Sequence, residues 1–373
     1  MNVCILAWKT YPYYVGGIEI HTYELAKHLA MKGANVILVT SKPKHSVIDK
    51  HIIDSELDQL MENNIKIYTV STWDVPKIKV AWDGVLFTRR ILSLKEENID
   101  IIHLQSCNLT APSAILLKKI KNIPLIMTTH GSELREKSNF VNEMYKKITL
   151  SNVNALIAVS NYQKTIIKEN YPYLLDKTIV IPNGVNLPNS KKKKQSKSDK
   201  YVVTFIGRLV PIKGPEIFIK MAEIILKYRN DVEFYVIGDG PNRKAIEHYV
   251  KERGLTNVIF WGYRTGKEKE ELLERTDILV SPLLSGITLL EGMAHGIACV
   301  VGNINWAPEV IVDGVNGLLS NPNPAELAEK VISLLDSDKY RNKIGLNALK
   351  TIREKYTWEK IAENTLNLYK SLL

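Results

Sequence analysis

The segment FIGRLVPIKG, residues 205–214, sets Arg208 and Lys213 in the turn between an apolar run and a helix that Pro215 opens. Two cations at a strand-to-helix turn make an anion site, because their charge adds to the unpaired amides of a helix start. The bland alternative is two solvated surface charges. The G-x-x-x-x-G-K-[ST] order of a P-loop is absent. Gly16-Gly17 follow the first apolar run in a comparable place, where glycine lets backbone N–H groups approach a phosphate or merely allows a chain reversal. His130 and Gly131 lie just past another apolar run, and a loop histidine can equally serve the core. Glu291 interrupts the apolar face of ITLLEGMA. A buried carboxylate needs hydrogen-bond donors, which a ribose diol would supply and which a helix cap or a core partner would supply as well. VIGDGPNR holds G-x-G, but Arg243 stands where a dinucleotide fingerprint needs its third small residue, and no ribose-binding acid follows at the expected spacing. A nicotinamide site is rejected on that ground.

The elements that must carry these residues alternate short apolar runs with longer amphipathic segments, the pattern of βα units and a parallel sheet. Strands are expected at Val3–Ala7, Val36–Val39, Ile65–Val70, Ile99–His103, Leu125–Thr129, Leu156–Val159 and Thr178–Ile181, with a helix over 18–32 closed by Gly33. The texture breaks in Val185–Lys200, which reads as an exposed linker with six lysines against one aspartate. Alternation restarts at Val202–Ile206, Val232–Ile237, Val258–Phe260, Ile278–Val280 and Cys299–Val301, with helices over 215–228 and 242–253. The expected architecture is two doubly wound, Rossmann-like α/β domains, 1–185 and 201–355, joined by a linker at 186–200 and followed by a terminal helix within 356–373.

Composition agrees with a two-domain globular chain: 373 residues, 45% hydrophobic and 24% charged. The formal charge of +10 sits entirely in residues 1–200, which hold 28 basic and 18 acidic side chains. Half of that excess is linker lysine. A basic half suits nucleic acid, an anionic membrane or an anionic ligand. Cys4, Cys107 and Cys299 are far apart and form no C-x-x-C pair, so reduced thiols are expected rather than a zinc cage or disulfides. The opening apolar run meets Lys9 too soon for a signal-peptide core, and the longest apolar stretch, 278–290, falls short of the ~20 residues that span a bilayer. These features lead to the expectation of a cytoplasmic protein.

Taken in order, GGIEIH at 16–21, HGSEL at 130–134, IPNGV at 181–185, GRLVPIKG at 207–214, GDGP at 238–241 and LLEGMAHG at 289–296 resemble the retaining glycosyltransferases of family 4, which have the GT-B fold. The resemblance spans residue 2 to about 370. It implies two Rossmann-like domains facing a central cleft, with the terminal helix crossing back to the first. It also implies transfer of a sugar from a UDP- or GDP-linked donor to a hydroxyl of a glycan, glycolipid or lipid-linked acceptor, with no metal or other cofactor. On it, Gly16 and Gly17 lie at the donor diphosphate, Arg208 and Lys213 bind that diphosphate, and Glu291 accepts from the ribose hydroxyls. Backbone at Gly286, Ile287 and Thr288 faces the phosphate and sugar, His130 stands beside the transferred sugar, and Gly262, Tyr263 and Arg264 wall the base. His130, Arg208, Lys213 and Glu291 are the implied catalytic set, with no metal ligand among them. The one D-x-D, Asp336-Ser337-Asp338, reads as a solvated turn between helices.

This sequence departs from the family at the donor sugar. The family commonly places a first glutamate, followed by G-F-G, where this chain has Leu283 and, two residues on, Ser285, and its usual glycine pair is absent near Asn303–Trp306. Two other readings therefore stand beside transfer: a catalytically silent nucleotide-sugar-binding subunit, and a GT-B sugar-phosphate synthase or phosphorylase. For the acceptor, KIKVAWDGVLFTRRIL at 77–92 mixes Lys77, Lys79, Arg89 and Arg90 with Trp82 and Phe87. It reads as a helix lying on an anionic membrane, on the inner face, or as an ordinary packed helix of the first domain. No nucleic-acid-binding module is apparent, and no nucleic-acid partner is expected.

Overall fold

The computed structural model describes residues 1–43, 49–72, 79–107, 110–131, 134, 140–188 and 200–373. Ser132 and Glu133 of the HGSEL motif, Lys77 and most of the lysine-rich segment lie outside the described residues. Residues Met1–Gly184 with Trp358–Leu373 form one compact unit, and Val185–Thr357 form a second.

The first unit is a parallel sheet of β1 (Asn2–Ala7), β2 (Asn35–Pro43), β3 (Lys66–Thr72), β4 (Ile101–Gln105), β5 (Leu125–Thr129), β6 (Ala155–Ala158) and β7 (Thr178–Val180), in the order β3-β2-β1-β4-β5-β6-β7. Strands such as VCILA and LIMTT are apolar on both faces because helices cover both sides of a parallel sheet. Cys4, Leu6, Leu104 and Met127 are fully buried. Order reverses between β1 and β4, the kind of switch point beyond whose strand ends doubly wound sheets bind ligands. Helix Lys79–Leu92 puts Phe87 and Ile91, four residues apart on one face, wholly into this core. Its outer face carries exposed Val85, Arg89 and Leu92, while Arg90 stacks over Tyr68 at 5.6 Å.

Helix Trp358–Lys370 belongs to this unit and lies against helix Gly17–Met31. Trp358 is 1% exposed and Tyr369 not at all. The Trp358 ring meets His21 edge-on at 5.3 Å, and Tyr369 shares a 2.5 Å hydrogen bond with His103 Nδ1. A Cβ on Gly184 would sit 2.5 Å from the Trp358 ring, so the glycine of IPNGV is what lets the helix dock this closely.

The second unit repeats the plan with β8 (Tyr201–Ile206), β9 (Val232–Ile237), β10 (Val258–Gly262), β11 (Ile278–Ser281), β12 (Ala298–Gly302) and β13 (Leu318–Ser320), all parallel in the order β10-β9-β8-β11-β12-β13. Phe205, Phe218 and Phe234 pack together in its core, tilted and edge-on, at centroid spacings of 5.6 and 6.0 Å. Its order reverses between β8 and β11. One expectation needs correction. Gly262 ends β10 across a register shift, so that strand runs past Phe260 and Gly262 is not loop. The D-x-D lies between two helices and is exposed as expected, with Asp336 also paired to Arg229 and Asp338 to Arg341. Among the described residues no helix is long and apolar enough to cross a membrane.

Candidate functional site

In the second unit, the two loops that flank the reversal carry most of the sequence-predicted site. After β8 the chain turns through Gly207 and Arg208 to the short 3₁₀ turn Pro211–Lys213, and Pro215 starts the next helix. After β11 it passes Leu283–Ser285 and enters helix Ile287–Ala294 at Gly286. Lys213 joins the two by donating from Nζ to the Leu284 carbonyl at 2.9 Å, and the Leu284 amide donates to Ile212 O at 3.2 Å. Nζ would lie 3.4 Å from a Cβ on Gly286, so the ammonium stands beside the start of the Ile287–Ala294 helix. That helix has no side-chain cap, and its first amides have no intrahelical acceptor. Ammonium and uncapped helix start together present the charge and donors that an anion would need.

The electrostatics agree with that reading. Burial, and then the nearby Arg208 guanidinium, bring the Lys213 pKa down to about 8. Arg208 is exposed. An anion placed between two such cations relieves their repulsion and restores the lysine charge.

The β8 loop is itself held from behind by GDGP. Leu209 donates to Asp239 O at 2.9 Å and Asn242 to Leu209 O at 3.1 Å. A Cβ on Gly238 would overlap the Gly207 carbonyl, and one on Gly240 would come within 2.6 Å of Leu209 O. The G-x-G is therefore a close-approach device that braces Gly207–Leu209.

Glu291 lies one turn into the Ile287–Ala294 helix. Its Oε1 accepts from Lys269 Nζ at 2.7 Å, and its buried Oε2 has no partner among the described residues. Both the core-pairing alternative and an open acceptor are thus present in one carboxylate. Trp306, where the family's glycine pair is missing, donates from Nε1 to Ser285 O at 3.0 Å, and Ser285 Oγ bonds Ser281 Oγ at 3.1 Å. These contacts fix the carbonyl just before Gly286. Leu283 packs where a Cβ on Gly214 would sit 3.0 Å from its Cγ. Tyr263 is exposed after β10, and Arg264 donates to its carbonyl at 2.9 Å.

In the first unit Gly16 caps helix Gly17–Met31 without a side-chain bond, and the Glu19 carboxylate leans over it. Gly17 is exposed, and a Cβ there would meet nothing within 4 Å. Packing within the unit does not require glycine at 17. His130, beyond β5, bonds Gln105 Oε1 through Nε2 at 3.1 Å, and its ring lies 4.8 Å from that of His21. His21 bonds Asn183 of IPNGV at 2.9 Å, while His103 bonds both Thr128 and Tyr369. Burial brings His103 and His130 down to about 3 and holds His21 well below its ordinary value. All three imidazoles are neutral near pH 7.

Sequence reasoning passed over Lys269, and it gave no contact for Trp306 or Asn183. Lys269 stands in the charged run GKEKEELLER and looks solvated, and the partners of Trp306 and Asn183 are 21 and 162 residues away.

A model of glycosyltransferase family 4 matches residues 15–188, and one of the glycosyl transferases group 1 matches residues 187–351. An uncharacterized glycosyltransferase of Methanocaldococcus jannaschii is 29% identical over 97% of this chain and 96% of its own length. A subunit of the Saccharomyces cerevisiae phosphatidylinositol N-acetylglucosaminyltransferase is 26% identical over 100% of this chain and 83% of its own. The structure of Anabaena HepE in complex with UDP and glucose superposes with a TM-score of 0.79 at 18% identity, covering both chains completely. With these matches joining the two reversed-order parallel sheets, the chain belongs to the group 1 glycosyltransferases and has the GT-B fold.

Proposed function

We propose that this glycosyltransferase binds a nucleotide-sugar donor on its second unit and transfers the sugar, with retention, to a hydroxyl of a glycan, glycolipid or lipid-linked acceptor. The observation that carries the proposal is the pairing of Lys213 with the uncapped start of helix Ile287–Ala294, one turn from a Glu291 Oε2 that has no partner among the described residues. Four residues of helix rise by about 6 Å, which suits a diphosphate at the helix start and the ribose diol beside Glu291. UDP with glucose in HepE supports a uridine-linked donor, and the yeast subunit's name supports a lipid-linked acceptor.

In this reading the acceptor hydroxyl attacks the anomeric carbon on the face the diphosphate leaves. The bond from that carbon to the phosphate oxygen breaks as the bond to the acceptor oxygen forms, and the hydroxyl proton passes to the departing phosphate. Arg208, Lys213 and the amides at 286–288 stabilise the charge that builds on the leaving group. Gly17, at the start of helix Gly17–Met31, offers its amide to an anionic group of a substrate. His130, held neutral by burial and by His103, serves as a hydrogen-bonding group rather than as an acid. Tyr263 and Arg264, with the Gly262 backbone, line the base.

Incubating the chain with UDP- and GDP-sugars and several acceptor classes, read by mass spectrometry, tests this. Transfer by the wild-type chain supports it, and donor binding with neither transfer nor hydrolysis would favour the silent subunit.

A further inference from the structure

Lys269 and Glu270 are neighbours on helix Gly266–Arg275, and both reach across to the Ile287–Ala294 helix and its end. Lys269 Nζ is 2.7 Å from Glu291 Oε1, and Glu270 Oε2 is 2.8 Å from His295 Nε2. His295 Nδ1 faces the Glu291 carbonyl at 2.8 Å. Both imidazole nitrogens therefore meet acceptors, which favours the doubly protonated ring. Lys269 and Glu291 expose only 17% and 16% of their side chains. A lysine of this length ordinarily keeps its ammonium in water. Here it is spent on one carboxylate oxygen.

The consequence for the other oxygen is geometric. The terminal torsion of a glutamate is broad, so an unpaired carboxylate samples many orientations. Pinning Oε1 removes that freedom and fixes where Oε2 points. Oε2 is buried and accepts from nothing among the described residues, a costly state for a charged oxygen that an incoming hydroxyl would relieve. We propose that Lys269 is a positioning residue that sets Glu291 to receive the ribose hydroxyls of the donor, so that selection of a ribonucleotide over a deoxynucleotide depends on the Lys269–Glu291 pair. This rests on the reading of Glu291 as the ribose acceptor.

Calorimetric titration of the full chain with UDP and GDP, each beside its 2′,3′-dideoxy counterpart, tests it on whichever nucleotide the wild type binds. The wild type is expected to prefer the ribo form by roughly 10–100-fold, the scale of hydrogen bonds to a charged group. Lys269→Met reduces that ratio to a few-fold with dideoxynucleotide affinity unchanged, and adds no further loss in a Glu291→Gln background. Lys269→Gln, which can still donate to Oε1, folds more readily and loses part of the ratio. A wild-type ratio retained in both Lys269 variants overturns the positioning role alone. No ribo preference, or no nucleotide binding, in the wild type would instead overturn the reading of Glu291, and the proposal with it.

Discussion

Lys213 concentrates the argument at the scale of single residues. Its ammonium is at once structural, bonded to the Leu284 carbonyl, and available to an anion at the helix start beside Gly286. Replacing it by alanine removes one preorganised electrostatic donor and is expected to lower turnover by roughly 10²–10³-fold. With a pKa near 8 in the free protein, Lys213 loses its charge as pH rises through that value. Nucleotide-diphosphate affinity should therefore fall above about pH 8 in the wild type and become flatter with pH in Lys213→Ala, as read by calorimetry. Arg208 and Lys213 were legible because glycine and proline bracket them. Lys269 was not, because a lysine among acids on a polar helix carries no mark of a partner 22 residues away.

At the scale of elements, some glycines are needed by the packing of the fold and Gly17 is not. Gly238 and Gly240 bring one loop onto another, and Gly184 admits the Trp358 ring. Gly17 has open space around its missing side chain. Gly17→Val should leave the melting temperature of the chain unchanged while lowering turnover by roughly 10²-fold, the scale of a displaced reactant. Trp358→Ala has the opposite signature: removing a buried indole costs about 3–5 kcal/mol in urea unfolding. Most strands were legible from apolar runs bounded by turn residues. The exception, β13, offers only Leu318 and Leu319 between Gly317 and Ser320, too little apolar run to recognise. The bend that carries β10 on to Gly262 depends on a register shift against β9, which only the neighbouring strand reveals.

The whole molecule reuses one device twice, a parallel sheet whose order reverses beside its first strand. Alternating texture made that fold class readable, whereas the net charge of +10 said little about the donor, since Arg208 and Lys213 lie in the neutral half of the chain. The departures at Leu283 and Trp306 were visible as missing family residues. Their physical content, a clamp on the Ser285 carbonyl and contact over Gly214, needed coordinates. Stability of the whole chain should depend on acid through its buried imidazoles. His103 and His130 stay neutral down to about pH 3 when folded, but protonate near their ordinary 6.5 when unfolded. The unfolded state thus gains protons first, and stability falls as pH drops from about 6.5 toward 3. Melting temperatures across that range should show the decline, with a shallower slope in His103→Gln.

The most direct test of the central claim, that the second unit holds a nucleotide-sugar diphosphate at Lys213 and the start of helix Ile287–Ala294, is a donor panel run on the wild type and Lys213→Ala together. The account predicts that one nucleotide sugar is bound and consumed by the wild type, with release of the nucleoside diphosphate, and that the variant loses most of this activity while keeping its fold. A well-folded Lys213→Ala that binds and consumes the donor as the wild type does would contradict it.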